Sequence, residues 1–186
     1  MSLSQIESEA EGKMKKSLDA FRKELSLMRT GRATPALLER VMVDYYGSPM
    51  PINQVATVSV PESQLLVIQP WDRSLIKTIE KAILKSDLGL NPSSDGTVIR
   101  LPIPSLTEER RRDLSKVARK KAEEAKIAIR NIRREANDEL KRLEREKSIS
   151  EDENKRRQEE VQKLTDKFVS EIDNVAQAKE KEIMSI

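Results

Sequence analysis

The chain has 186 residues, of which 36% are charged and only 3% aromatic, and its net charge is +3. It contains no cysteine and no histidine, which excludes disulfide frameworks, thiolate nucleophiles, histidine acid–base catalysis and the usual zinc sites. We therefore expect no catalytic residue, no metal site and no cofactor, because an enzyme would have to rely on carboxylates and lysines alone.

The N-terminal stretch MSLSQIESEAEGKMKK lacks the apolar run of a signal peptide and is too acidic for an organelle presequence. No stretch of the chain approaches the roughly 20 apolar residues that a membrane span needs. These features predict a cytoplasmic protein that has no membrane partner. We also expect the chain to be a monomer.

Three long segments carry apolar residues at steps of three and four, the spacing of an amphipathic helix. The first covers residues 3–28. The second is predicted over about 107–146 and begins after Ser105 or Thr107, and the third begins at Ser150, the first residue of a capping box. Because these segments flank a different middle region, they can bury their apolar stripes only by packing together. We predict a long antiparallel three-helix bundle built from both chain ends.

The middle region, residues 31–104, holds all eight prolines and has runs rich in valine, isoleucine and tyrosine. Its pattern predicts a smaller β/α/β domain inserted into the bundle, which makes the fold class α+β. Asp72 is expected to cap the helix of this domain, which ends near Gly89. The predicted strands are 40–45, 55–60, 64–69 and 97–101.

The predicted bundle comprises residues 1–30 and 105–186, so the backbone crosses to and from the 31–104 domain twice. A double crossing restricts motion largely to rotation about the line that joins its two points. Gly31 supplies backbone freedom at the first crossing, and prolines hold the second one extended. The alternative is that Gly31 only ends the first helix. The predicted hinge residues are Thr30, Gly31, Arg32, Pro102, Ile103, Pro104 and Ser105.

The second long helix carries most of the positive charge, with eleven basic and five acidic residues between positions 108 and 134. Six of the basic residues recur at steps of four, three, seven, four and three, and we place them on one face about 200° from the apolar stripe. This cationic ridge, on a helix ~60 Å long, could follow a phosphate backbone. The ridge comprises Arg112, Lys116, Arg119, Lys126, Arg130 and Arg133.

The stretch KIAIRNIRR, residues 126–134, contains no acidic residue, so its four cations, including Arg134, lack partners nearby in sequence. Arg29, at the end of the first helix, would join them if the helices pack side by side. The alternative is that these charges serve only solubility and pair with glutamates. Trp71, after Pro70 at a strand-to-helix turn, is expected to be half-buried in the small core, with a partner contact as the alternative. Tyr45 and Tyr46 are expected to be strand residues. Without aromatic residues on the ridge, structured RNA contacted through its backbone is the favoured partner.

Four segments carry a resemblance to a known family: LMRTGRATPALLERVMVDYYGSPMPINQVA, IQPWDRSLIKTIEKAILKSDLGLNPSSDGTVIRLPIPSLTEERRRDL, AIRNIRREAND and ISEDENKRRQEEVQKLTDKFVSEID. Together they resemble the bacterial ribosome recycling factors over essentially the whole chain. The resemblance implies an L-shaped molecule made of a three-helix bundle and an inserted β/α/β domain.

The resemblance also implies that the chain binds the large ribosomal subunit after termination and acts with elongation factor G and GTP to separate the subunits. By position in the family pattern, Arg29, Arg130 and Arg133 correspond to arginines that contact ribosomal RNA. Elongation factor G would contact the small domain and the hinge, on residues that the resemblance does not specify. The alternative function is a cytoplasmic helical adaptor or chaperone-like module that binds proteins.

Overall fold

The computed structural model describes residues 2–185. The chain divides into two compact units. The larger unit contains the residues up to Ser26 together with Arg112–Ser185, and the smaller unit contains Leu27–Arg111. Residues 27–30 and 105–111, which the sequence pattern placed with the bundle, thus make their contacts within the smaller unit.

Three long helices account for most of the larger unit, as predicted. Thr107 Oγ1 accepts a hydrogen bond from the backbone N–H of Arg110 at 3.1 Å, so Thr107 and not Ser105 caps the second of them. Ser150 Oγ accepts a hydrogen bond from the N–H of Glu153, also at 3.1 Å, which confirms the predicted cap. The helices are α1, Leu3–Ser26; α3, Glu108–Arg145; and α4, Glu151–Met184.

Cross-helix ion pairs show the directions of the three helices. Along α1, Glu7 pairs with Arg157 at 2.9 Å and Arg22 pairs with Glu171 at 3.6 Å, so α1 and α4 run parallel. The pairs between α1 and α3 progress in opposite senses, which makes α3 antiparallel to both of the others. These pairs are Lys13–Glu135 and Glu24–Lys121.

The predicted apolar stripes form the core of the larger unit. Burial of a large aliphatic side chain contributes about 1.5–3 kcal/mol, so the aliphatic stripe rather than surface charge holds the helices together. Both phenylalanines of the chain, Phe21 and Phe168, lie in this core. Its fully buried large side chains include Met14, Leu25, Ile129, Leu140, Ile172 and Ile183.

The smaller unit contains a two-stranded hairpin, a four-stranded antiparallel sheet and one α-helix. The hairpin pairs β1, Met42–Tyr45, with β2, Ser48–Pro51. The sheet has the order β3-β4-β6-β5. Its strands are β3, Ala56–Glu62; β4, Leu65–Pro70; β5, Ser93–Ser94; and β6, Ile99–Pro102, and the helix is α2, Ile76–Lys85.

The predicted strands of this unit are found with shifted ends, and two further strands were not predicted. The sequence of β2 is SPMP, whose prolines argue against a strand unless it lies at an edge, and β5 has only two residues. Asp72 caps a short 3₁₀ turn, Arg73–Leu75, which leads into α2. The helix ends at Lys85, before the predicted stop at Gly89.

The exposed aromatic residues contradict two expectations, the half-burial of Trp71 and the strand position of Tyr46. Trp71 is 67% exposed instead of half-buried, and Tyr46 lies in the turn after β1. The core of this unit consists of aliphatic residues from the strands and α2, including Val43, Leu66, Ile68, Ile79, Ile83, Ile99 and Leu101. Because aliphatic side chains fill the core, the ring of Trp71 is left on the surface.

Within residues 2–185, no helix is long and apolar enough to cross a membrane. Over the same range, no group of three or more acidic side chains is arranged to hold a metal ion.

Candidate nucleic-acid interface

The residues of the predicted ridge occupy two neighbouring lines along α3. Lys116, Arg130 and Arg112 are exposed. Arg119, Lys126 and Arg133 follow one another at steps of seven and lie on the flank that faces α4. The prediction that all six point directly away from the core is therefore wrong for these three.

Each residue of the flank has a partner on α4. Arg119 Nε donates to Glu180 Oε1 at 2.6 Å, and Arg133 Nη1 donates to Gln162 Oε1 at 3.1 Å. The partner of Arg133 is a neutral amide, so its positive charge is not neutralised. Steps of seven drift only about 20° per repeat on an α-helix, which keeps all three residues on the same flank.

Lys126 is the most restrained of the predicted cations. Its ammonium group lies 2.5 Å from Asp173 Oδ1 and 3.1 Å from Glu123 Oε1, and its side chain is only 15% exposed. The hydrogen bond that Lys126 donates to the Asp173 carboxylate is the main cause that raises the pKa of Lys126 above its ordinary value. The prediction that Lys126 lacks an acidic partner is wrong, because acids before and beyond the acid-free stretch reach it.

A second line of cations faces solvent along the length of α3. Successive members are separated by four, ten, four, seven and four residues, so at 100° per residue all lie within about 40° of one direction. The line extends over ~44 Å at 1.5 Å per residue. We call it the outward line; its members are Lys116, Lys120, Arg130, Arg134, Lys141 and Arg145, all exposed.

The members of the outward line have no ion-pair or hydrogen-bond partner among residues 2–185. Glu123 and Asp138 share their face, so the line keeps an excess of positive charge. Lys120, Lys141 and Arg145 were not among the predicted site residues. Their spacing from Lys116 and Arg134 could have identified them. Steps of four and seven residues place Lys120, Lys141 and Arg145 on the same face of the helix as Lys116 and Arg134.

Arg29 lies three residues beyond the end of α1 and belongs to the smaller unit. It is exposed, and its Nη2 donates a hydrogen bond to the backbone carbonyl of Asp87 at 2.9 Å. This carbonyl lies just after α2, where helix ends attract cations. The sequence placed Arg29 at the end of the first helix, and the earlier stop of α1 changes that position. That Arg29 and the cations of α3 bind RNA together stays a prediction.

The residues of the predicted hinge are tied to the smaller unit. Gly31 has φ +79°, a left-handed conformation that favours glycine, and Thr30 is buried. Ile103 N–H donates to the carbonyl of Gln64 at 2.8 Å, and Gln64 Nε2 donates to Ser105 Oγ at 2.6 Å. Since α1 ends at Ser26, Gly31 is not the residue that stops it, and the alternative role proposed for this glycine is wrong.

Comparison with known proteins identifies the family. A family model described as ribosome recycling factor matches residues 21–184. The chain belongs to the ribosome recycling factor family. It is similar to the ribosome-recycling factor of Carboxydothermus hydrogenoformans, with 64% identity over 178 residues that cover 96% of each chain. The ribosome-recycling factor of Heliobacterium modesticaldum is 59% identical over 184 residues, which cover 99% of this chain and 100% of the relative.

Two solved ribosome recycling factor structures also match. A solution structure of the ribosome recycling factor is 49% identical, covers 100% of this chain and 99% of its own, and gives a TM-score of 0.82. The other contains models for the T. thermophilus ribosome recycling factor and the E. coli elongation factor G bound to the E. coli post-termination complex. It is 51% identical, covers 99% of this chain and 100% of its own, and gives a TM-score of 0.71. These matches confirm the predicted α+β fold and identify a translation factor that is not an enzyme.

Proposed function

We propose that this chain binds the large ribosomal subunit of the post-termination ribosome in the bacterial cytoplasm and, with elongation factor G and GTP, separates the subunits. Membership of the ribosome recycling factor family carries this proposal. A 51% identical family member accompanies elongation factor G on a post-termination complex. GTP is assigned to the elongation factor, because this sequence has no glycine-rich phosphate loop followed by lysine.

Ribosomal RNA is bound, in this proposal, by the cations of α3 together with Arg29. Arg130 and Arg134 on the outward line have exposed guanidinium groups, and such groups form paired hydrogen bonds to phosphate oxygens. Arg133 adds a third from the flank, since its amide partner leaves its charge available. Lys116 and Arg112 extend the contact, whereas Arg119 and Lys126 contribute less because α4 carboxylates neutralise them.

The chain itself breaks no bond in this mechanism. Elongation factor G acts on the smaller unit, and rotation at residues 30–32 and 102–105 carries the motion to contacts between the subunits. The bundle remains bound to RNA while this happens. The prolines at 102 and 104 support such a role because they keep the second crossing extended.

Co-sedimentation with large ribosomal subunits across a salt series tests the binding step. We expect affinity to fall steeply as salt rises, because each neutralised phosphate releases counterions. Purified 70S post-termination complexes mixed with the chain, elongation factor G and GTP test the reaction, and we expect splitting only when all are present. An affinity that does not change with salt concentration, with no ribosomal RNA recovered, would favour the protein-binding adaptor instead.

A further inference from the structure

The outward face of α3 carries its charges in a regular order. Between positions 116 and 145, nine residues lie within about 40° of the outward direction at 100° per residue, and all nine are exposed. Six of them are the cations of the outward line. The other three lie between pairs of cations, and we call them the gap residues. The gap residues are Glu123, Ile127 and Asp138.

The six cations form three pairs, and the two members of each pair are four residues apart. Within a pair the two positions are only ~6 Å apart, whereas the centres of successive pairs are separated by ~21 Å and ~17 Å at 1.5 Å per residue. The positive charge of this face is therefore concentrated at three places. The pairs are Lys116 with Lys120, Arg130 with Arg134, and Lys141 with Arg145.

The gap residues do not extend the positive charge. Lys126 on the flank binds both Glu123 and Asp173, so this group of three side chains keeps one negative charge. Asp138 makes no ion pair among residues 2–185. Ile127 is uncharged and 53% exposed. If the two acidic gap residues were present only to pair with the outward line, they would be bonded to its cations, and neither of them is.

A single RNA strand laid along α3 fits this pattern poorly. Such a strand carries a phosphate every few ångströms, so its phosphates would lie beside Glu123 and Asp138 as well as beside the cations. These carboxylates would repel the phosphates, and the side chain of Ile127 offers them no hydrogen bond. Binding along one strand would favour cations at short, even intervals, which this face does not have.

A double helix fits the pattern better, because its two backbones cross a line along its axis at intervals. A helical turn is on the order of 30 Å long and contains two backbones, so such a line meets a backbone roughly every 15 Å. The spacings of the cation pairs, ~17 Å and ~21 Å, are of this size. The grooves lie between the backbones. The minor groove of double-helical RNA is wide and shallow and displays 2′-hydroxyls, which can donate hydrogen bonds to carboxylates.

We propose that α3 lies across a double-helical segment of ribosomal RNA, with each cation pair at a separate crossing of the backbone and the gap residues over the grooves. This inference rests on the proposed function, which supplies ribosomal RNA as the partner. It goes further because it selects double-helical RNA over a single strand and gives the gap residues a role in spacing the cations. The placement of the cations, and not only their number, then determines the affinity.

An exchange of two side chains changes the placement of the cations but not their number. In the double variant Ile127→Arg with Arg134→Ile, both positions are exposed on the outward face, and the net charge of the chain stays the same. The second pair is lost, and a cation enters the gap before it. For a fluorescent RNA hairpin with a stem of about two helical turns, we expect the affinity, measured by anisotropy, to fall on the order of tenfold. Co-sedimentation with large ribosomal subunits should show a similar loss.

Two comparisons separate placement from charge. An unstructured poly(U) oligonucleotide should bind the double variant as tightly as the unmodified chain, because a single strand can follow the new arrangement of cations. Arg134→Lys is the matched control, since it keeps a cation at position 134, and its affinity for the hairpin should fall much less than that of the double variant. Melting temperatures of the variants verify that folded proteins are compared.

Four results would overturn the proposal. The first is a double variant that binds the hairpin and large subunits as tightly as the unmodified chain. The second is an equal loss of affinity for poly(U) and for the hairpin, and the third is an equal loss for Arg134→Lys and for the double variant. The fourth is an unmodified chain that binds large subunits but not the hairpin, because the pairs would then contact something other than double-helical RNA.

The proposed function is tested separately and first. Failure of the unmodified chain to bind large subunits would contradict the proposed function itself, and it is seen before any variant is compared.

Discussion

The two units of this chain expose side chains of different chemistry. On the larger unit, α3 presents six cations that have no partner among the described residues 2–185, along ~44 Å, and the aromatic rings of that unit are buried. On the smaller unit, three aromatic rings are exposed beside two carboxylates. The first surface suits an anionic polymer that is recognised along its length, whereas carboxylates beside the rings make the second unsuited to a phosphate backbone.

This difference teaches that the overall charge of a chain is a poor guide to what it binds. A net charge of +3 conceals the outward line because α4 supplies acidic partners to the flank of α3. Which cations remain free is decided by helix geometry and not by their number. The comparison between paired and unpaired cations is therefore where experiments are most informative.

The largest effect is expected from restraining the second crossing between the units. Gln64 and Ser105 both belong to the smaller unit and touch at 2.6 Å, so a link between them would fix residues 102–105 to that unit. The chain has no cysteine of its own. The pair Gln64→Cys with Ser105→Cys, joined by a short dithiol-reactive cross-linker, should still bind large subunits but lose splitting. Ser105→Cys blocked with a monofunctional reagent is the control. Full splitting by the cross-linked form would place the rotation outside residues 102–105.

Two isoleucines on α3 test which face of the helix points outward. Ile129 is completely buried, whereas Ile127 is 53% exposed and lies on the outward face. Ile129→Ala should lower the free energy of unfolding by about 2–5 kcal/mol because it leaves a cavity. Ile127→Ala should change it by less than about 0.5 kcal/mol. Urea unfolding followed by circular dichroism measures both, and equal costs would mean that the face assignment is wrong.

The long helices could be predicted because their apolar periodicity extends over many turns. The predicted second helix, 107–146, matches α3 to within one residue at each end. The edge strands of the smaller unit could not be predicted, because β2 contains two prolines and β5 two serines. Their strand structure comes from tertiary pairing rather than from local preference.

Removal of one free arginine should change the salt dependence of large-subunit binding. Arg130→Ala is expected to reduce the slope of log affinity against log salt by about 0.7–0.9, one phosphate contact. Arg119→Ala is the matched comparison on the same helix, and its smaller change follows from the ion pair with Glu180. A greater reduction of this slope for Arg119→Ala than for Arg130→Ala would contradict the role of the outward line.

The candidate site was predictable only in part, because sequence shows spacing on one helix but not the partners that other helices supply. Arg130, Arg134 and Lys116 were predicted and are exposed. Lys126 was predicted as a free cation, and only the packing of α4 reveals Asp173 beside it. Trp71 was expected to be half-buried because its large ring has one polar group, and its exposed position depends on how aliphatic residues already fill that core.

Replacing Gly12 tests the stability of the three-helix unit with a smaller expected effect. Glycine is unfavourable inside a helix, and the surroundings of Gly12 do not require it. It is exposed near the middle of α1, and an added Cβ would meet nothing within 4 Å. Gly12→Ala should stabilise the chain by about 0.5–1 kcal/mol, since alanine loses less backbone entropy. Ala20→Gly, at another exposed position of α1, should cost a similar amount. Thermal unfolding of the two variants should shift in opposite directions.

The smallest effect is expected from Asp95, in the turn before β6. Hydrogen bonds from the N–H of Val98, the guanidinium of Arg100 and the N–H of Thr97 hold the pKa of Asp95 well below its ordinary value. A lowered carboxyl pKa means that its stabilisation is present above the unfolded pKa, roughly pH 4, and is lost as pH falls through the folded value.

Asp95→Asn should therefore destabilise the smaller unit at pH 7, and its difference from the unmodified chain should shrink as the pH is lowered below about 4. Urea midpoints measured at neutral and acid pH give this difference directly. Lys163→Ala, which removes an exposed ion pair with Glu160 on α4, is the comparison in the larger unit. A difference for Asp95→Asn that stays constant with pH would mean that the turn depends on the shape of the side chain and not on its charge.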